Sequence, residues 1–131
     1  KANEIQPGKR MLSSMTPTIL EKEGKLFMVV GTPGGATIIT SVFQAILNVI
    51  DFGQNAQSAV SLPRFHHQWL PDRIDVEKDA IATSLRDKLV KDGYVKKPRG
   101  AIGCVENIRV LPNGKLQTGA DPRGDDTAKG Y

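Results

Sequence analysis

The feature that most constrains this chain is an abrupt change of hydrophobic period across Gly31-Thr32-Pro33-Gly34-Gly35. Ahead of it, Leu26-Phe27-Met28-Val29-Val30 is almost continuously apolar, the pattern of a strand buried on both faces. Behind it, Thr40, Gln44, Asn48 and Asp51 recur at three- and four-residue steps through an otherwise mainly apolar run over 37–51. That spacing marks the polar stripe of a deeply packed helix. A buried strand must therefore turn through three glycines and a proline directly into a buried helix. Glycines let the backbone take positive φ and let a ligand approach the main chain closely. Backbone N–H groups just ahead of a helix also favour negative charge. Three readings fit: a phosphate site, a donor pair for the oxyanion of an attacked carbonyl, or an ordinary strand–turn–helix corner. The G-x-x-x-x-G-K-[ST] pattern and its lysine are missing, which disfavours the phosphate.

The rest of the chain supplies a compact set of further elements. Residues 18–21 and 26–30 read as a hairpin closed at Glu23-Gly24-Lys25, and 102–111 with 115–120 as another around Pro112-Asn113-Gly114. Gly53 ends the long helix, and Asn55 caps a short one through Val60 that Pro63 stops. Residues 73–77 alternate like a half-buried strand. Asp79 is the expected cap of a helix running to Lys91, with Ile81, Leu85, Leu89 and Val90 inward and Gly93 as its stop. Tyr94-Val95 reads as a short strand, and 121–131 as a polar tail. Strands grouped in hairpins argue for a layered α+β sheet rather than a doubly wound one, in a single domain over 1–131.

Charge narrows the partners. Eighteen basic residues against 14 acidic give a net +4, but the cations are interleaved with acids, as in Glu77-Lys78-Asp79. The densest basic stretch, Lys96-Lys97-Pro98-Arg99, lacks the aromatic interleaving that base stacking uses, so no nucleic-acid partner is expected. No apolar run approaches the roughly 18 residues of a membrane span. The single cysteine, Cys104, sits beside Ile102 and Val105 and reads as a buried structural thiol.

Two other segments could carry chemistry. Lys9-Arg10-Met11-Leu12-Ser13-Ser14-Met15-Thr16-Pro17 places adjacent hydroxyls beside two cations, which suits a carboxylate; taken alone, a polar loop whose serines satisfy their own backbone is the better reading. Pro63-Arg64-Phe65-His66-His67-Gln68-Trp69-Leu70-Pro71-Asp72 holds vicinal histidines, which point apart on a strand and rarely chelate one metal. A packed loop of hydrogen-bonded imidazoles is the better reading of them, with a metal site second.

Taken in order, Pro7-Gly8-Lys9-Arg10-Met11-Leu12-Ser13-Ser14-Met15, the glycine segment at 31–35, and the histidine segment at 63–72 resemble the small subunit of the γ-glutamyltransferase family in its bacterial form. The ending, Gly119-Ala120-Asp121-Pro122-Arg123 and Gly130-Tyr131, is also similar to that family's C-terminus. The resemblance implies an N-terminal-nucleophile hydrolase, an α-β-β-α sandwich made by a precursor that cleaves itself, of which this chain is an incomplete part. It implies attack by an N-terminal threonine on the γ-amide of glutathione or a related compound. A γ-glutamyl ester then forms, and water or an amino acid releases it. Carried over by motif, Gly34 and Gly35 would supply oxyanion-hole N–H groups, and Ser13 and Ser14 would bind the substrate's α-carboxylate. No metal or cofactor is called for, and His66 and His67 receive no catalytic role.

The same resemblance sets further expectations. The nucleophile would lie upstream of Lys1, and Thr16, Thr18 and Thr32 are internal, without the free α-amine that acts as base. The 131-residue chain alone is therefore expected to be inactive. Its partners would be the large subunit and the upstream part of the small subunit of one precursor, acting on a small γ-glutamyl substrate in the periplasm or outside the cell. Separated from them, it is expected to show an open sheet edge and apolar surface and to self-associate. The alternatives are a sister amidase on the same scaffold, such as an acylase or a poly-γ-glutamate transpeptidase, and a non-catalytic module that binds an anion or amino acid.

Overall fold

A computed structural model describes residues 4–10 and 15–130. Strands β1 (Thr18–Lys22) and β2 (Lys25–Gly31) form the first hairpin, and β6 (Glu106–Val110) and β7 (Leu116–Gly119) the second. The hairpins join through antiparallel pairing of β2 with β6, giving a four-stranded sheet in the order β1-β2-β6-β7. A smaller sheet, β3-β4-β5, is built from β3 (Phe65–His66), β4 (Ile74–Val76) and β5 (Lys96–Pro98), with β4 and β5 parallel. The helices are α1 (Ile38–Ile50), α2 (Ala56–Ser61) and α3 (Thr83–Lys91).

The main core lies between α1, α2 and one face of the larger sheet. Met28 and Val30 of β2 meet Ile38, Val42, Ala45 and Val49 of α1, together with Ala59, Val60 and Val105. Each fully buried aliphatic side chain of this kind contributes about 1.5–3 kcal/mol. The opposite face of the sheet is open. The cross-strand row Ile19, Val29 and Ile108 is 70%, 38% and 44% exposed, so β2 alternates instead of being buried on both sides. Its apolar run matches two covered faces, and the described residues cover one. Exposed apolar surface is thus present as anticipated.

The helix α1 forms and stops as expected, with Gly53 turning at φ 64° and Gln54 N–H returning to the Asn48 carbonyl at 2.8 Å. It is not deeply packed all round, however: Ile39, Phe43 and Ile50 are 68%, 57% and 53% exposed, because the described residues cover only the face that carries Ile38, Val42, Ala45 and Val49. Asn55 caps α2 by accepting from Ser58 N–H at 2.7 Å. The third helix differs. Asp79 has φ 63° and takes no capping position; Ala82 is the N-cap and α3 starts at Thr83. Ile81 is buried ahead of the helix with Ile74 and Val76, and Leu89 packs against them. Leu85 and Val90 are 50% and 59% exposed, because α3 lies at the rim and buries no residue fully. Further corrections concern strands. Tyr94 and Val95 precede β5 rather than forming a strand, although the Val95 carbonyl accepts from Ile74 N–H at 2.7 Å. β4 is buried at all three positions, since β3 and β5 flank it and Asp75 is held by arginines.

Candidate active site

The glycine turn is built from consecutive residues in the left-handed half of backbone space. Gly34 lies at φ 144°, ψ 9° and Gly35 at φ 59°, conformations in which a side chain is strained. The Gly34 carbonyl accepts twice from one residue, from Thr37 N–H at 3.2 Å and from Thr37 Oγ1–H at 2.9 Å. Gly35–Thr37 forms a short 3-10 turn that runs into α1. Among the described residues neither the Gly34 nor the Gly35 N–H finds a hydrogen-bond acceptor, and both glycines are exposed. Two free amide donors therefore stand at the positive end of the helix dipole of α1. The loop ahead of β6 locks the turn from the side. Thr32 Oγ1 accepts from Cys104 N–H at 2.8 Å, and Gly103 lies so close that a Cβ there would come 3.0 Å from Thr32 Oγ1.

The histidine segment is fastened to α1 by the polar stripe. Gln44 donates to the Phe65 carbonyl at 2.8 Å and accepts from Phe65 N–H at 3.1 Å. His66 is 4% exposed, with Nδ1 2.7 Å from Thr40 Oγ1 and Nε2 2.8 Å from Gln68 Oε1. Both ring nitrogens are engaged by these contacts, and neither His66 nor His67 belongs to a trio of potential metal-ligating groups among the described residues. His67 is part exposed, its Nε2 3.3 Å from Asp72 Oδ1.

A buried ionic cluster ties the smaller sheet and the C-terminal segment to the core. Arg64, 1% exposed, donates to the Val60 and Ile102 carbonyls and to Asp121 Oδ2 at 2.6 Å. Asp121 also accepts from Val105 N–H at 2.7 Å and from Arg123 N–H and Nη1 at 3.0 and 2.9 Å. Arg123 in turn grips Glu77, whose carboxylate accepts from Arg64 N–H and Ile102 N–H as well. Burial alone would raise the carboxyl groups of Asp121 and Glu77, but these hydrogen bonds and the two guanidinium groups outweigh it and hold both below the ordinary carboxylate range. The expected polar tail over 121–131 is thus corrected at its start, where Asp121 and Arg123 are structural anchors. Arg99, from the densest basic stretch, is paired with Asp75 at 3.3 Å.

Cys104 departs from the expected buried thiol. It is part exposed, and its unreactive character comes from acids rather than apolar neighbours. Its Sγ donates to Asp126 Oδ2 at 3.0 Å, and that bond, desolvation and the nearby carboxylates push the thiol up to about 12. Cys104, Glu106 and Asp126 are the one trio of potential metal-ligating groups among the described residues.

Of the residues singled out for function, Gly34 and Gly35 are placed together with their amides free, while Ser13 and Ser14 lie outside the described residues. Comparison with known proteins agrees across the whole chain. The model of the Gamma-glutamyltranspeptidase family matches residues 1–131. The glutathione hydrolase proenzyme of Escherichia coli K12 is 47% identical over 131 residues, covering 99% of this chain and 22% of that protein. A crystal structure of the T380A mutant of Helicobacter pylori gamma-glutamyltranspeptidase superimposes with a TM-score of 0.86 at 48% identity, covering 92% of this chain and 66% of that one. The Pseudomonas nitroreducens gamma-glutamyltranspeptidase complexed with L-DON gives 0.86 at 42% identity, over 100% of this chain and 69% of that one. The chain thus spans about a fifth of the length of the proenzyme it matches.

Proposed function

Because the chain belongs to the gamma-glutamyltranspeptidase family, we propose that it forms part of an enzyme that transfers or hydrolyses the γ-glutamyl group of glutathione and related amides. The observation that supports this reading is the pair of amides at Gly34 and Gly35, without an acceptor among the described residues and held at positive φ ahead of α1. In the reaction, a threonine hydroxyl contributed from outside this chain adds to the γ-carbonyl carbon. The carbonyl oxygen takes up negative charge, and the two N–H groups stabilise it. Collapse expels the amine, which leaves with a proton, and gives a γ-glutamyl ester that water or an amino acid then cleaves. Ser13 and Ser14 hold the substrate's α-carboxylate in this scheme, on the strength of family resemblance.

The open face of the larger sheet supports a second sheet layer supplied by the rest of the precursor, its large subunit and the upstream part of the small one. No described helix is long and apolar enough to cross a membrane. The compartment we propose, periplasmic or extracellular, rests on family resemblance.

The test is Gly35→Ala in the complete enzyme, with γ-glutamyl-p-nitroanilide as donor. A Cβ at Gly35 meets no atom within 4 Å, so the substitution acts through the strained φ of 59° and re-aims the amide. Loss of one oxyanion donor lowers kcat by about a hundredfold or more. An unchanged kcat in a correctly matured variant refutes the reading.

A further inference from the structure

The Gly34–Gly35 peptide has two ends, and only one faces the proposed oxyanion. Its N–H end is the Gly35 donor; its C=O end points the other way, as a trans peptide requires. That carbonyl is where Thr37 acts, through its own N–H at 3.2 Å and its hydroxyl at 2.9 Å. Two donors on one carbonyl fix the rotation of the peptide, set by Gly34 ψ at 9°. They also draw electron density toward the oxygen, which makes the N–H at the other end a stronger donor. Thr37 is 3% exposed, so water does not compete for its hydroxyl. The close approach depends on glycine at position 34, since a Cβ there would come 2.7 Å from Thr37 Oγ1. The arrangement is braced from behind, since the Thr37 carbonyl accepts from Thr40 Oγ1–H at 3.1 Å and Thr40 Oγ1 lies 2.7 Å from His66 Nδ1.

We infer that Thr37 is a positioning residue for γ-glutamyl transfer, its hydroxyl orienting and polarising the Gly34–Gly35 peptide so that Gly35 N–H meets the developing oxyanion. The inference rests on the oxyanion reading of Gly34 and Gly35. Such a contact strengthens with the charge on the oxygen and is weak toward the neutral amide. It therefore acts on kcat rather than on KM.

The experiment compares Thr37→Val, which keeps the shape and removes the hydroxyl, with Thr37→Ser, which keeps the hydroxyl, both in the complete enzyme. Turnover of γ-glutamyl-p-nitroanilide is measured beside the affinity for a γ-boronic acid analogue of glutamate, whose tetrahedral adduct places an oxygen at the oxyanion position. Thr37→Val is expected to lower kcat and boronate affinity about fivefold, the worth of one neutral hydrogen bond, with KM unchanged. Thr37→Ser is expected to retain both. Should Thr37→Val not fold, Thr37→Ala against Thr37→Ser carries the same contrast. Unchanged kcat in the hydroxyl-free variant, a change confined to KM, or an equal loss in Thr37→Ser overturns the inference. If the unsubstituted enzyme binds the boronate no more tightly than glutamate, the oxyanion reading itself fails. Tight boronate binding that Thr37→Val leaves intact removes the role of Thr37 alone.

Discussion

Asp121→Asn is the sharpest probe of what holds this chain together. The substitution keeps the shape of the side chain and removes the negative charge from a site with 0% side-chain exposure. Four donors converge on the carboxylate: Arg64 Nη2, Val105 N–H, Arg123 N–H and Arg123 Nη1, at 2.6–3.0 Å. An amide offers one acceptor oxygen and turns its NH2 group toward the other pair of donors. Breaking a buried ion pair from one side costs about 3–5 kcal/mol, because the partner charge stays behind without compensation. Here the lower end applies. Arg64 still donates to the Val60 and Ile102 carbonyls, and Arg123 still holds Glu77. A loss of about 3 kcal/mol is a large share of the roughly 5–15 kcal/mol that stabilises a domain. In urea unfolding of the complete enzyme followed by circular dichroism, the midpoint falls by that loss divided by the slope of the transition, a downward shift against the unsubstituted enzyme. Asp72→Asn is the control, since the Asp72 side chain is 79% exposed and its contact with His67 is worth little. A midpoint for Asp121→Asn indistinguishable from that control refutes the reasoning.

Acid and thiol chemistry give two more tests. Asp75, Glu77 and Asp121 are all held below their unfolded values, so their stabilising effect is present above the unfolded carboxylate range and is lost as pH falls through the folded values. The urea midpoint should therefore start to fall below about pH 4, near the ordinary carboxyl pKa, and Asp121→Asn should flatten that fall; a midpoint that rises on acidification contradicts it. Cys104, with its thiol pushed up to about 12, should react slowly with iodoacetamide at mildly alkaline pH, and Asp126→Asn should speed alkylation by removing its hydrogen-bonding carboxylate. Equal rates in the two proteins would show that Asp126 does not govern the thiol.

What the sequence disclosed and what it concealed divide along a physical line. Thr40, Gln44 and Asn48 betray α1 because a helix repeats its face every few residues, and Asn55 betrays α2 because its cap is made within three residues. The glycine turn was legible for the same reason: the backbone demand falls on Gly34 and Gly35 themselves. The ionic cluster was not. Arg64, Glu77, Asp121 and Arg123 each look like an ordinary surface charge, and their burial is tolerable only because residues 57 apart in sequence meet in space. Asp79 shows the opposite failure, a good local cap overruled by the route the chain must take to bury Ile81. The place of Thr37 was hidden as well. Nothing in a threonine three residues after a glycine tells which carbonyl its hydroxyl will reach, and the signal exists only once Gly34 has turned.

Gly103 has a consequence for how force travels through the molecule. A methyl group there would press to 2.9 Å from Ser41 Oγ and 3.0 Å from Thr32 Oγ1, so the Gly103 main chain rests directly on one side chain of α1 and one of the glycine turn. Thr32 Oγ1 is held in place there, donating to the Pro33 carbonyl at 2.7 Å while it accepts from Cys104 N–H. Any push on the exposed amides of Gly34 and Gly35 is handed on, through the bond from Cys104 N–H to Thr32, toward the strand that begins at Glu106. The turn and the strand behind it are thus coupled through one threonine hydroxyl.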